Sequence, residues 1–143
     1  MSQSLADLKG LQILVVEQDL DTRMLYTLIL ESAGAMVQTT ASVEEALAVL
    51  AHEFPSIMMS GLHFHEADGY ALLRQVRALQ VVSDRRMPTI AVSGYSQREQ
   101  QPRALAAGFQ RYLPKPVDPF ELTQTILQVA QGRSGQLGRE TSR

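Results

Sequence analysis

The sequence predicts an α/β domain: a doubly wound, five-stranded parallel sheet with helices on both faces. Three observations carry this. Short apolar runs and helical periodicities alternate five times along the chain, the pattern of consecutive β-α units. The first and third runs are continuously apolar, as strands covered on both faces must be. Right-handed crossovers between parallel neighbours then close such a chain as a doubly wound sheet. At 143 residues, one compact domain is expected.

Each element has its own signal. Residues 11–16 (LQILVV) form the first strand, rich in β-branched residues. Residues 19–33 follow as a helix, with acids at the start, Met24, Leu25, Leu28 and Ile29 at helical spacing, and Gly34 as a stop. Residues 35–40 alternate and make a more exposed second strand. Ser42 and Glu45 have capping-box spacing, so a helix starts there and runs to about residue 53, ahead of Pro55. Residues 57–60 are a short buried strand, 61–67 a loop, and Asp68-Gly69 opens a helix through Leu72, Leu73, Val76 and Leu79. Residues 89–92 form the fourth strand. Pro102 suits a first helical turn, so the helix ending at Ala107 is expected to be short. Residues 109–113 are the fifth strand. Asp118, Pro119 and Glu121 read as N-cap, first helical position and third position of a last helix, stopped by Gly132. The expected organisation is an N-terminal extension (1–10), one domain (11–131), and a flexible C-terminal tail or linker start (132–143).

Composition narrows the function classes. Hydrophobic residues at 45% and charged residues at 20% suit a folded globular chain rather than a disordered one. Thirteen basic against fifteen acidic residues give a net charge of −2, so nucleic acid is not an expected partner. The absence of cysteine removes disulfides, thiolate metal sites and cysteine nucleophiles. No apolar run approaches the ~20 residues of a membrane span, and residues 1–10 lack the apolar stretch of a signal peptide. A cytoplasmic location is therefore expected, with no membrane partner. Lysine is scarce: Lys9 and Lys115 are the only two.

In a doubly wound sheet, ligands sit beyond the carboxyl ends of the strands. This directs attention to residues 17–19, 61–68, 93–96 and 114–116. There the chain carries ILVVEQD after the first strand, ADGY at 67–70, VSGY after the fourth, and YLPKPVDP at 112–119, preceded by ALAAGF at 104–109. In these motifs, and over roughly residues 11–131, the chain resembles the receiver domain of bacterial response regulators. The resemblance implies a flavodoxin-like receiver fold with strand order 2-1-3-4-5 and a cis Lys115-Pro116 bond. In that family an aspartate at the end of the third strand accepts a phosphoryl group. Two acids after the first strand help hold magnesium, and a hydroxyl and a lysine bind the phosphoryl oxygens. A divalent cation and a lysine are what an anionic acceptor needs to receive an anionic group.

Carried over residue by residue, Ser93 falls on the hydroxyl position, Lys115 on the lysine and Tyr112 on the switch aromatic. Glu17 falls on the first acid. Gln18 falls on the second, where a neutral amide replaces a carboxylate and weakens any divalent site. Gly61 falls on the phosphoacceptor, seven residues before Asp68, and has no side chain to phosphorylate. The resemblance is thus to a degenerate receiver, or pseudo-receiver, with no catalytic residues, cofactor or metal expected. With one carboxylate left, Lys115 is expected to pair directly with Glu17 and hold the pocket in one state. Tyr112, Tyr95 and Phe64 are candidates for an interaction face.

The leading functional expectation is a phosphorylation-independent signalling and protein-interaction module of a two-component or phosphorelay system, and not an enzyme. Its expected partners are a histidine kinase or output domain, with a homodimer through the fourth helix, fifth strand and fifth helix as a further possibility. Alternatives are a conventional phospho-switched regulator, which Gly61 opposes, and a small-ligand or metal sensor using the vacated pocket. A nucleotide binder would need a glycine-rich first loop, whereas EQDLD is acidic. His63 and His65, two residues apart, could reach one transition metal, but two ligands alone make a weak site. Asp19 and Asp21 are most simply helix-start acids.

Overall fold

The computed structural model describes residues 4–64, 68–84, 86–94 and 97–132. Five strands alternate with five helices. They are β1 (Gln12–Val16), α1 (Leu20–Ser32), β2 (Met36–Thr40), α2 (Val43–Leu50) and β3 (Ile57–Gly61). α3 (Gly69–Ser83), β4 (Thr89–Ser93), α4 (Gln97–Ala107), β5 (Arg111–Pro114) and α5 (Pro119–Ala130) complete the set. All four strand pairings are parallel, in the order β2-β1-β3-β4-β5. The register sets Val16 beside Ser60, Gly61 beside Val92, and Ser93 beside Pro114. Three loops therefore leave the sheet at one edge, close together.

Strand alternation sorts the core into two layers. Ile13, Val15, Ile57, Met59, Ile90, Val92 and Leu113 face α1 and α5, meeting Tyr26, Ile29, Leu30, Leu122, Ile126 and Val129. Leu14, Val16 and Met58 face the other way, against Ala46, Leu50, Leu72 and Val76 of α2 and α3. A third cluster joins Leu62, Tyr70 and Leu73 to Ala104, Phe109 and Tyr112 under α4. Residues 4–10 belong to this packing: Leu8 is fully buried, and its N–H donates to the Ala33 carbonyl at 2.8 Å. Among the described residues, no helix is long and apolar enough to cross a membrane.

Caps follow the sequence signals. Asp19, Ser42, Asp68 and Asp118 each accept from a backbone N–H in the first turn of their helix. Three details differ from expectation. α2 stops at Leu50, three residues early. Of the expected stripe on α1, Ile29 is buried as predicted, but Met24, Leu25 and Leu28 turn outward, exposed by 61%, 51% and 65%, and Tyr26 and Leu30 join Ile29 in the core. Both faces of this helix carry apolar residues, so periodicity alone cannot choose between them; contact with the sheet does. α4 begins at Gln97 and holds Pro102 in its interior, where a first turn was expected. Pro102 has no N–H for the Arg98 carbonyl. Most of α4 lies at the surface, with Ala104 its buried residue, and the Gln97 amide donates to the Gln101 side chain at 3.0 Å across the extra turn.

Candidate functional site

The strand ends build one pocket. β1 delivers Glu17, only 6% exposed. Its Oε2 accepts from the Asp19 N–H at 3.0 Å, while Oε1 accepts from Lys115 Nζ at 3.1 Å. Asp19 itself caps α1, accepting from both the N–H and the hydroxyl of Thr22 at 2.8 and 2.7 Å. Those two bonds hold its carboxyl below the ordinary value, the hydroxyl bond contributing most. Arg23 reaches back from α1 and donates to the carbonyls of Glu17 and Gln18, both at 2.8 Å, fixing the loop between strand and helix. Lys115 follows β5; its N–H donates to the Ser93 carbonyl at 2.9 Å, and the bond to Pro116 is cis, as the resemblance implied.

Gly61 closes β3 and lines the same cleft of about 180 Å³, with Glu17, Gln18, Ser93 and Lys115. A Cβ at position 61 would lie 3.6 Å from Glu17 Oε1 and 3.8 Å from both Phe64 Cζ and the Val16 carbonyl oxygen. These are ordinary contacts, so a Cβ fits there and none is present. Gly69 is different: a Cβ would stand 2.4 Å from the Gly61 carbonyl oxygen. Its own N–H donates to the Leu62 carbonyl at 3.0 Å, so α3 starts pressed against the pocket wall. This is the physical content of the Asp68-Gly69 pair.

All five predicted pocket residues, Glu17, Gln18, Gly61, Ser93 and Lys115, thus line one cleft, and the expected ion pair between Lys115 and Glu17 is formed. A divalent cation does not suit this donor set. Glu17 is already bonded to Lys115 and Asp19, Asp19 serves its helix, and Gln18 offers a neutral amide. Among the described residues, no group of three or more His, Asp or Glu is placed to hold a metal.

The predicted interaction face fares differently. Tyr112 is 6% exposed, its ring lies among the third cluster, and its buried hydroxyl has no hydrogen-bond partner among the described residues. It is therefore not a surface contact: the cluster of Tyr70, Phe109 and Ala104 holds the ring inward. Phe64 is half-buried against α2 and α3, with its ring edge at Gly61, where an exposed loop residue was expected. Tyr95 and His65 lie outside the described residues, as does the chain beyond residue 132. Sequence reasoning did not place His63 in the cleft, though it lines it. It also missed Tyr70, which joins α3 to α4 through a hydrogen bond to Gln100 at 3.1 Å and an Arg103 guanidinium 4.4 Å from its ring centre. Burial raises the Tyr70 hydroxyl above its usual value. The i+1 position after a conspicuous Asp-Gly was the available signal.

Comparison with known proteins agrees with this geometry. The sequence model of one family, the response regulator receiver domain, matches residues 13–127. An uncharacterised 14.6 kDa protein of Leptolyngbya boryana is 40% identical over 121 residues, covering 85% of this chain and 91% of that protein. The C4-dicarboxylate transport transcriptional regulatory protein DctD of Rhizobium meliloti is 31% identical over 85% of this chain, which spans only 25% of that regulator. Among solved structures, a CheY-like response regulator receiver domain protein from Methanospirillum hungatei superimposes with a TM-score of 0.75 at 29% identity, covering 90% of this chain and 96% of that one.

Proposed function

Because the chain belongs to the response regulator receiver-domain family of two-component signalling, we propose that it is a receiver-like interaction module whose surface is set without phosphorylation. One observation carries the reading: Lys115 Nζ bonds Glu17 Oε1 at 3.1 Å beside a glycine at position 61. In a phospho-switched receiver the lysine receives a phosphoryl oxygen. Here an internal carboxylate fills that role, and the charge balance of the pocket needs neither phosphate nor metal. Tyr112, turned inward under α4, belongs to the same fixed state. In this reading the chain catalyses nothing and takes no cofactor. It works in the cytoplasm through contact with a histidine kinase or output domain, or with a second copy through α4, β5 and α5, and not through nucleic acid or membrane.

The test exposes the purified chain to an acyl phosphate donor with magnesium and follows intact mass. No phosphoryl gain is expected. The Gln18→Asp/Gly61→Asp double variant, for which position 61 has room for a Cβ, serves as the competent control. A stoichiometric phosphoryl gain by the wild type, or kinase binding that changes with the donor present, would remove the proposal.

A further inference from the structure

The charges of this chain are segregated. Residues 1–68 hold two basic and ten acidic residues, a net of −8. Residues 69–117 hold eight basic and two acidic residues, a net of +6. Strand order turns this into a spatial division. The acidic part builds β2, β1 and β3 with α1 and α2; the basic part builds α3, β4, α4 and β5. None of the arginines at 74, 77, 86, 98, 103 and 111 makes an ion pair among the described residues. Arg77 instead donates to the Gly108 carbonyl, and Arg111 to the Gln128 side chain.

Within the basic part lies a groove of about 600 Å³, at the foot of β4 and away from the strand-end pocket. Arg77 and Arg86 stand on its walls with a single acid, Asp84, so its lining keeps a net positive charge, and Val81, Met87 and Pro88 supply an apolar side. Its polar floor is held in place: Gln80 Nε2 donates to the Met87 carbonyl at 2.9 Å, and Gln110 Oε1 accepts from the Thr89 N–H at 3.1 Å. Val81 is 82% exposed at the rim.

We infer that this groove docks a short acidic segment of a partner protein, with carboxylates at Arg86 and Arg77 and an aliphatic side chain against Val81 and Met87. Charge complementarity selects the acid, since guanidinium groups with no carboxylate partner among the described residues bind carboxylates in fixed geometry. The volume selects a segment: it matches a pocket for a few residues, whereas a pair of globular surfaces needs about 800 Å² from each partner. The apolar wall selects protein over nucleic acid, because a sugar-phosphate backbone gains nothing from Val81, Met87 and Pro88, and the −8 half repels a long polyanion.

The experiment titrates the full chain with a labelled synthetic peptide alternating glutamate and leucine, and with a counterpart alternating lysine and leucine. Saturable binding of the acidic peptide alone is expected, weakening as salt rises, with amide shifts confined to residues 77–89 and 108–110. Arg86→Glu and Arg86→Ala, at an exposed position, should each weaken it by about tenfold or more without altering the circular dichroism spectrum. No binding, equal binding by either Arg86 variant, or shifts outside the groove would overturn the inference. So would tighter binding of duplex DNA, or sedimentation showing a second copy as the occupant.

Discussion

Replacing Lys115 by methionine removes one ammonium and keeps a side chain of similar length. Glu17 is then left as a carboxylate only 6% exposed, with the Asp19 N–H at 3.0 Å as its remaining donor among the described residues. Exposed ion pairs contribute ~0–1 kcal/mol, and breaking a fully buried one costs ~3–5 kcal/mol. This pair lies between, with side-chain exposures of 32% for Lys115 and 8% for Glu17. Solvent at the lysine end screens the charge, so the expected loss is about 1–2 kcal/mol. For a chain of 143 residues that corresponds to a fall in Tm of roughly 3–8 °C. Equilibrium urea unfolding measures it, read as a shift in midpoint at constant slope. Glu17→Gln keeps one acceptor oxygen, for Lys115 Nζ or for the Asp19 N–H, and turns an NH2 to the other donor, so it too should be destabilising. The Lys115→Met/Glu17→Gln double variant should then show a coupling of about 1 kcal/mol. A Lys115→Met midpoint within ~0.3 kcal/mol of wild type, or zero coupling, means that the pair does not hold the pocket and refutes the reasoning.

Three further outcomes follow from the same geometry. Tyr112→Phe deletes a buried hydroxyl without a partner among the described residues, so stability should stay level or rise by up to about 1 kcal/mol in thermal unfolding; a loss beyond that range contradicts the packing described. Leu28→Ser, on the outer face of α1, should change stability by no more than ~0.5 kcal/mol, whereas Ile29→Ala, next in sequence and 7% exposed, should cost about 2–4 kcal/mol; comparable losses would place the wrong face in the core. Asp19 is held below its ordinary value of 3.8 by its bonds to Thr22, so its contribution is present above that pH and disappears as pH falls through the lower folded-state value. Asp19→Asn keeps a neutral capping oxygen, so it should fall below wild type near neutrality and approach it at low pH, flattening the acid limb of stability measured by urea midpoints; an unchanged limb would show that the cap does not titrate there.

Much of the fold was legible because its signals are local. Capping residues, Pro119 at a helix start and continuously apolar runs act within a few positions, and each formed the expected element. The pocket was legible because strand ends in a parallel sheet bring fixed chain positions together, and Gly61, Gln18 and Lys115 stand at those positions. Local signals failed where two answers were equally local. α1 has apolar residues on two faces, and Pro102 sits in a helix whose surface placement tolerates it.

By itself, then, the amino-acid sequence determined the order of elements, the parallel sheet, and the absence of a side chain where the family's acceptor stands. Periodicity, caps and residue identity are properties of the chain read along its length. Only the tertiary structure decided that Tyr112 and Phe64 turn inward, which face of α1 meets the sheet, and that the Glu17 carboxylate closes on Lys115. Those outcomes depend on contacts between residues as far apart as positions 17 and 115, where packing volume and desolvation, not local preference, select the conformation. The division into an acidic and a basic half has the same origin: the charges are written in the sequence, but strand order places them on opposite sides of the molecule.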